Sequence, residues 1–466
     1  MSLTQKTVSG LIWSFLDQFA NQGITFIVGI ILARLLTPAE FGLIGMFTIF
    51  IAISNTFINS GFASALIRKQ NCTQVDYSTV FFYNFLVGIL LYIVLFILAP
   101  TIGIFFNEVR LTPIIRVMGL VIIFQSLSLI QQTILTKRID FKLQTRISVI
   151  ASVCAGVIAI VMAYKGFGVW SLVTQQIIRQ LLVSILLWLW NHWLPTMVFS
   201  RQSFGSLFSF GGKLLISGLI DTIYQNIYYL IIGKYFSAQE LGFYTRADLF
   251  KNIPSQNLNG IIGRVSYPIL ASIQDDKKRL RDSYRKLLRS TMFVTFLLML
   301  GMAAVAEPLI ITLIGEKWQP SVAYLQMLCF VGIFYPLHAL NLNILQVSGR
   351  SDLFLKLEII KKILAIPTII IGVILGIKIM IVGMIVNTII AYLLNSYWGG
   401  RFVGYSLKEQ VKDILPSFLI ALIMAIVVYL FNIFLPFNYL GKLIISTIIG
   451  ACLIIIVCKS INFREY

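Results

Sequence analysis

Residues 369–376 read IIIGVILG, and residues 453–457 read LIIIV. Both runs are apolar at successive positions, so they lack the alternation that marks a strand of a membrane barrel. Because lipid offers no partner for a free backbone amide, a spanning segment must be either a helix or part of a closed barrel. These runs therefore favour helices.

The whole chain shares this apolar character. Of its 466 residues, 58% are hydrophobic and 12% are charged, and the mean hydropathy is +0.90. Soluble domains carry about 25% charged residues, so too little polar surface remains to face water on every side. A helix crosses the hydrocarbon core in about 20 apolar residues, and segments of that size recur along the chain. We predict an all-α integral membrane protein with about 14 transmembrane helices.

Short loops join the predicted spans. They leave no room for an extramembrane catalytic domain, and we do not expect an enzyme. The approximate bounds of spans 1 to 14 are 8–34, 41–66, 78–105, 112–135, 145–164, 168–191, 204–233, 241–271, 290–314, 320–347, 353–377, 379–399, 411–431 and 440–458.

Positive charge is distributed unevenly among these loops. Most of the 37 Lys and Arg residues lie at the N-terminus or after even-numbered spans, as in residues 277–289. Cytoplasmic loops of membrane proteins collect Lys and Arg. The pattern predicts a multi-pass protein of the cell inner (cytoplasmic) membrane with both termini cytoplasmic. It also accounts for the net charge of +19 without a nucleic-acid partner.

Two halves of the chain match at an offset of 200 residues. Residues 35–43 read LLTPAEFGL, and residues 235–243 read YFSAQELGF. The offset preserves the parity of the spans, so the two copies form a parallel repeat about an axis along the membrane normal, as in some transporters. We predict a six-helix lobe at 1–200, a second at 201–402, and two added helices with a short tail at 403–466. Rocking of such lobes gives alternating access to a site between them.

Charged residues inside the predicted spans are the candidate site. Charge at mid-membrane is costly and normally faces a cavity or a partner, and guanidinium donors match phosphate oxygens in pairs. For residues near span ends, snorkelling to the interface is the alternative, and Asp248 is an available counter-charge within span 8. We predict a cationic cavity for an anionic substrate, lined by Arg179, Arg246, Lys251, Arg264 and Lys213.

Two carboxylates lie in equivalent spans, Asp17 in span 1 and Asp221 in span 7. The residue aligned with Asp221 is Asn21, so the carboxylates are four residues out of register. A buried carboxylate can carry a proton or ligate sodium, and both are candidates for coupling transport to an H+ or Na+ gradient. A hydrogen-bonded structural role is the commoner alternative. No motif for catalysis, nucleotides or metals occurs, so we expect no catalytic residues, cofactor or metal.

Several stretches resemble one known family: GLIW at 10–13 with LARLLTPAEFG at 32–42, GFASALI at 61–67, and RIDFK at 138–142. They resemble the polysaccharide exporters (Wzx-type flippases of the colanic-acid and teichuronic-acid exporter type) of the multidrug/oligosaccharidyl-lipid/polysaccharide (MOP) superfamily. The resemblance implies transport of an oligosaccharide on undecaprenyl pyrophosphate from the cytoplasmic to the periplasmic leaflet. Such cargo supplies O-antigen, capsule or exopolysaccharide synthesis.

This implied cargo is consistent with the cationic cavity, because its headgroup is anionic and its sugar needs polar walls. Span 7 offers Tyr224, Gln225, Asn226 and Tyr228 for the sugar. The expected partners are the lipid-linked oligosaccharide and membrane lipid, with the protein a monomer near a polymerase or other export machinery. Two alternatives stay open. A multidrug or cation antiporter of the same superfamily would need acidic cavity walls, and a polysaccharide polymerase or ligase would need a large outer loop.

Overall fold

The computed structural model describes residues 3–59, 61–434 and 436–460, with side chains except those of residues 3–11, 210, 261, 264, 265, 351, 457, 458 and 460. Helices make up most of these ranges, and no strand occurs within them. The helices are α1 (Leu3–Leu35), α2 (Pro38–Asn59), α3 (Phe62–Arg68), α4 (Gln74–Phe105), α5 (Leu111–Met118), α6 (Leu120–Lys137), α7 (Phe141–Tyr164), α8 (Val169–Asn191), α9 (Arg201–Tyr235), α10 (Ala238–Ser272), α11 (Lys277–Ala304), α12 (Ala306–Ile314), α13 (Pro320–Ile333), α14 (Tyr335–Val347), α15 (Ser351–Leu375), α16 (Ile377–Val403), α17 (Leu407–Phe434) and α18 (Tyr439–Ser460), with a short 3-10 helix at Glu316–Trp318.

Among the described residues, 12 helical segments are long and apolar enough to cross a membrane. They correspond to 12 of the predicted spans, and three of them, spans 2, 4 and 10, each comprise two helices in tandem. Helices α10 and α15 occupy predicted spans 8 and 11. Helix α10 has 35 residues and a polar middle, and α15 has 25 residues with five charged residues among its first 12, so the count of 14 stays a prediction.

Helix α11 begins well before the predicted start of span 9 near residue 290. Its first residue is Lys277, and the Asp276 side chain accepts a hydrogen bond from the Arg279 amide at 3.0 Å. The basic segment is thus helical rather than a loop. Hydropathy located only the apolar part of the helix, because a helix does not have to end where its apolar residues end.

The described chain divides into two compact units after Gly242, so α9 and the first turn of α10 belong to the first unit. The predicted lobe boundaries at 200 and 402 follow from the sequence repeat and stay predictions. In the first unit, α7 packs on α1 and α8, α6 on α4 and α8, and α2 on α9. Fully buried Ala151, Ala155 and Ala159 recur every four residues on α7. Small residues at that spacing let membrane helices approach closely.

The repeated sequence motif forms two matching helix starts. In the S/T-x-x-E capping box, the two side chains satisfy free amides at the first turn of a helix. At α2, the amide and hydroxyl of Thr37 donate to Glu40 Oε2 at 2.6 and 3.0 Å. At α10, the amide of Glu240 donates to Ser237 Oγ at 3.1 Å. The matching Ser or Thr and Glu positions therefore serve to begin a helix.

The glycines of the repeated motif lie where the two helix starts touch. A Cβ on Gly42 would lie 1.6 Å from the carbonyl oxygen of Ala238, and a Cβ on Gly242 would lie 1.9 Å from that of Pro38. Because Pro38 and Ala238 are the first residues of α2 and α10, each glycine makes room for the start of the other helix.

In the second unit, α11 packs on α13, α14 and α17, while α16 packs on α13, α14 and α15. Asp413 near the start of α17 accepts hydrogen bonds from Arg285 Nε and Nη2 at 2.5 and 2.7 Å, from Arg289 Nη2 at 2.6 Å and from the Tyr405 hydroxyl at 2.5 Å. Near the other end of α17, Asn432 Nδ2 donates to the last carbonyl of α11 at 3.2 Å. Helix α17 is therefore attached to α11 at both ends.

Candidate functional site

Polar side chains of the first unit collect where α1 packs on α7. Asp17 and Asn21 lie on one face of α1, and Ser148 and Ser152 on one face of α7, because residues four apart share a side of a helix. The Asp17–Ser148 and Asn21–Ser152 pairs are both separated by 131 residues. The two helices therefore run in the same direction, and the pairs form two successive rungs between them.

Hydrogen bonds join these rungs into one chain of side chains. Ser148 Oγ donates to Asp17 Oδ1 at 2.5 Å, and Asn21 Nδ2 donates to the same oxygen at 2.8 Å. Ser152 Oγ donates to Asn21 Oδ1 at 2.9 Å. Arg179 Nε, from α8, donates to Ser152 Oγ at 3.1 Å. The structure thus brings together a candidate coupling carboxylate, Asp17, and a candidate substrate cation, Arg179.

Arg179 lies near the middle of α8 and remains accessible. Its hydrogen bond to Ser152 uses Nε, and within the described part of the chain this is its one hydrogen bond. A guanidinium carries further donors on its two Nη atoms, in a planar fork that matches carboxylate or phosphate oxygens. The side chain is therefore anchored at Nε while the fork can bind an anion.

Helix α9 carries the predicted residues of span 7. Lys213, Asp221 and Gln225 are exposed on this helix. Asp221 thus differs in surroundings from Asp17, which is half-buried in the chain of hydrogen bonds. The assignment of Lys213 to substrate and of Asp221 to a coupling ion stays a prediction.

The candidates for sugar contacts on α9 are less exposed. Tyr224 and Asn226 are half-buried and Tyr228 is buried. Asn226 Nδ2 donates to the Thr222 carbonyl at 2.9 Å, and the hydroxyls of Thr222 and Thr56 lie 2.8 Å apart. Thr222, one turn before Asn226, therefore contacts α2.

Lys251 on α10 lies deep inside the second unit, with 2% of its surface exposed. Its Nζ donates to Asp248 Oδ1 at 2.6 Å and lies 5.1 Å from the centre of the Tyr335 ring. Asn252 Nδ2 donates to the other Asp248 oxygen at 2.8 Å. A Cβ on Gly332 would lie 3.2 Å from Lys251 Cγ. Asp248 is the counter-charge of Lys251, and a role for Lys251 in substrate binding stays a prediction.

The other two predicted cations also belong to α10. Arg246 is half-buried, two residues before Asp248. Arg264 lies in the helical part of α10, but its side chain is outside the described residues. Helix α10 continues through Pro254.

Sequence reasoning missed Ser148 and Ser152 as members of the site and treated Asn21 only as the partner of Asp221 in the repeat. A signal was present: polar residues four apart occur on α1 at 17 and 21 and on α7 at 148 and 152. That spacing identifies a polar face on each helix. It cannot show that the two faces meet, because the meeting depends on how α1 and α7 pack.

Solved structures share this fold. The chain is similar to the lipid II flippase MurJ in an inward closed conformation, with a TM-score of 0.79 and 16% identity, over 98% of this chain and 99% of that one. It is also similar to an inward-facing multidrug resistance MATE family transporter of the MOP superfamily, with a TM-score of 0.65 and 14% identity, over 85% and 98% of the two chains. The predicted all-helical membrane fold is confirmed, and it is the fold of MOP-type transporters.

Residues 31–323 match the family described as polysaccharide biosynthesis protein, and the chain belongs to that family. It is 27% identical to the lipopolysaccharide biosynthesis protein WzxC of Escherichia coli over 446 residues, which are 93% of this chain and 89% of that protein. It is 26% identical to the teichuronic acid biosynthesis protein TuaB of Bacillus subtilis over 354 residues, 76% and 73% of the two chains. The family resemblance noted in the sequence is confirmed.

Proposed function

We propose that this protein flips an oligosaccharide linked to undecaprenyl pyrophosphate from the cytoplasmic to the outer leaflet of the inner membrane by alternating access. The cargo would supply synthesis of a surface polysaccharide such as O-antigen, capsule or exopolysaccharide. Relatives named for lipopolysaccharide and teichuronic acid biosynthesis support a glycan cargo. A relative named as a succinoglycan biosynthesis transport protein supports transport as the activity.

The observation that carries this proposal is Arg179 in the middle of α8. A charged side chain at the centre of a bilayer costs at least about 2.5–3.5 kcal/mol unless it has a partner or an aqueous surface. Arg179 is an exposed residue whose hydrogen bond to Ser152 uses Nε, and its Nη donors have no partner among the described residues. Such a group suits a pyrophosphate headgroup and disfavours the cationic cargo of a drug antiporter.

The remaining predicted contacts extend this site. Lys213, Arg246, Arg264 and Lys251 are proposed as further cations for the headgroup, with Lys251 the least accessible of those whose side chains are described. The side chains proposed to contact the sugar are Tyr224, Gln225, Asn226 and Tyr228.

Deletion of the gene in a host without a second flippase tests the function. Lipid-linked repeat units should accumulate in the cytoplasmic leaflet, and surface polysaccharide should be lost. Complementation with Arg179→Gln should restore less than about a tenth of the export, the effect of losing one bidentate contact of about 1.5–3 kcal/mol. The matched control is Arg110→Gln, which alters an exposed arginine paired with Glu108. Normal surface polysaccharide in the deletion strain would refute the proposal.

We also propose that both termini are cytoplasmic. Lys165→Cys and Gln274→Cys place a thiol in exposed loops after spans 5 and 8. A membrane-impermeant maleimide applied to intact spheroplasts should label residue 165 and leave residue 274 unlabelled until the membrane is opened. The reverse pattern would contradict the proposed orientation.

An H+ or Na+ gradient is proposed as the energy source, with Asp17 and Asp221 as the residues that couple it. Purified protein in liposomes should transport faster when such a gradient is imposed, and Asp17→Asn should abolish that acceleration. The protein is further proposed to act as a monomer beside a polysaccharide polymerase or other export proteins. A monomer-sized particle that retains transport would support this.

A further inference from the structure

We propose that Asn21, Ser148 and Ser152 are positioning residues, which hold the Arg179 guanidinium in place for an anionic headgroup by linking it to Asp17. The chain of hydrogen bonds from Arg179 to Asp17 is called the relay below. The inference rests on the proposed function only for the identity of the anion. The relay itself consists of the side-chain contacts between α1, α7 and α8.

The two ends of the relay determine the orientation of every group between them. A guanidinium only donates hydrogen bonds, and an ionised carboxylate only accepts them. Asn21 must therefore turn Nδ2 towards Asp17, which leaves its Oδ1 for Ser152. Ser152 must donate a hydrogen bond to Asn21 through its hydroxyl and accept the hydrogen bond from Arg179 with a lone pair. All donors consequently point towards Asp17, and no other arrangement satisfies both ends.

This order restrains Arg179. Its Nε donates to Ser152, which is itself held by Asn21, so the plane of the guanidinium is constrained while the Nη donors have no partner among the described residues. Restraining a long side chain before binding removes an ordering cost that otherwise weakens affinity, by about three- to tenfold for one such side chain. The relay thus acts on affinity through Arg179, and its own members do not have to touch the substrate.

The constant separation of 131 residues strengthens the assignment. Ser148 and Ser152 meet Asp17 and Asn21 at matching positions on two parallel helices. Ser148 and Asn21 both donate hydrogen bonds to Asp17 Oδ1. Ser148 Oγ also accepts a hydrogen bond from Asn21 Nδ2 at 2.8 Å. It therefore orients the Asn21 amide without reaching Arg179. Removal of Ser148 should weaken the restraint less than removal of Ser152.

The experiment measures binding of undecaprenyl pyrophosphate to the full-length protein in phosphatidylcholine nanodiscs. Arg179→Gln should weaken binding at least tenfold, and Ser152→Ala should weaken it about three- to tenfold. Ser152→Thr keeps the hydroxyl and should bind within about twofold of the wild type. The control is Ser171→Ala, which removes a buried hydroxyl on α8 that has no hydrogen-bond partner among the described residues. That variant should bind as the wild type does.

A double-mutant cycle separates positioning from a structural role. In the Arg179→Gln background, Ser152→Ala should cause no further loss of binding, because the group that it positions is gone. An equal loss in both backgrounds would overturn the inference, as would wild-type binding by Ser152→Ala when Arg179→Gln binds weakly. In those cases the proposed function would stand.

A wild-type protein that does not bind undecaprenyl pyrophosphate would contradict the proposed function instead. The relay is then tested without ligand, by thermal unfolding of the wild type, Ser152→Ala, Arg179→Gln and the double variant. Groups in one hydrogen-bond chain are expected to shift the melting temperature non-additively. Additive shifts from Ser152→Ala and Arg179→Gln would overturn the relay whatever the protein carries.

Discussion

Replacing Gly242 with alanine should force the starts of α2 and α10 apart. A Cβ on Gly242 would lie 1.9 Å from the Pro38 carbonyl oxygen, whereas non-bonded heavy atoms settle at about 3.5 Å. The obstacle is backbone at the first residue of α2, so no side chain can rotate away. Overpacking costs about 1–3 kcal/mol, and this rigid site belongs at the upper end. Alanine returns about 1 kcal/mol of helix propensity, which leaves a net loss of about 2 kcal/mol.

Gly42→Ala creates the reciprocal clash, because its Cβ would lie 1.6 Å from the Ala238 carbonyl oxygen. Either substitution separates the same two helix starts. Once they have separated, the second Cβ meets less resistance. The double variant should therefore lose less stability than the sum of the two single variants.

Thermal unfolding of the purified protein measures the effect. A loss of about 2 kcal/mol corresponds to a melting temperature about 4–8 °C lower for a unit of 150–250 residues. The matched control is Gly260→Ala on the same helix α10, where a Cβ would have nothing within 4 Å. That variant should keep or slightly raise the melting temperature, because it gains only helix propensity. Gly242→Ala melting as high as Gly260→Ala would refute the reasoning.

Two ion-pair predictions concern the second unit. Lys251→Ala leaves the buried Asp248 without its counter-charge and should cost about 3–5 kcal/mol in thermal unfolding. The apolar double variant Lys251→Met/Asp248→Leu should be near neutral. Wild-type stability of Lys251→Ala would contradict a structural ion pair. Asp413→Ala removes the acceptor that Arg285, Arg289 and Tyr405 share. It should cost about 1–3 kcal/mol of unfolding free energy and speed protease cleavage at residues 404–406. Its control, Asp352→Ala, breaks a pair whose side chains are 42% and 53% exposed and should lower the melting temperature less than Asp413→Ala does, because water screens an exposed pair.

Much of the fold was predictable from local sequence. Apolar runs identified the helices, because the need to satisfy every backbone amide in lipid leaves few other structures. The Ser or Thr and Glu of the repeated motif are local as well, since a capping box involves only four consecutive residues. The ends of helices were less predictable. Helix α11 begins in the basic segment that hydropathy excludes from the membrane.

Local sequence could not show which polar residues meet. Asp17 and Arg179 were both candidates for the site. Asn21 and Ser152 connect them by hydrogen bonds only because α1, α7 and α8 pack together. Lys251 was a cation in an unusually polar helix, and its burial against Asp248 depends on the helices around it.

The repeated glycines show the same division. Their positions in the sequence established that Gly42 and Gly242 correspond, and the tertiary structure supplied the reason, which is that each accommodates the backbone at the start of the other helix. In lipid, the hydrophobicity of a segment favours its insertion across the membrane, but it does not select which face of the helix packs against other helices. Close packing and hydrogen bonds select the faces that meet, and those contacts join residues far apart in the chain.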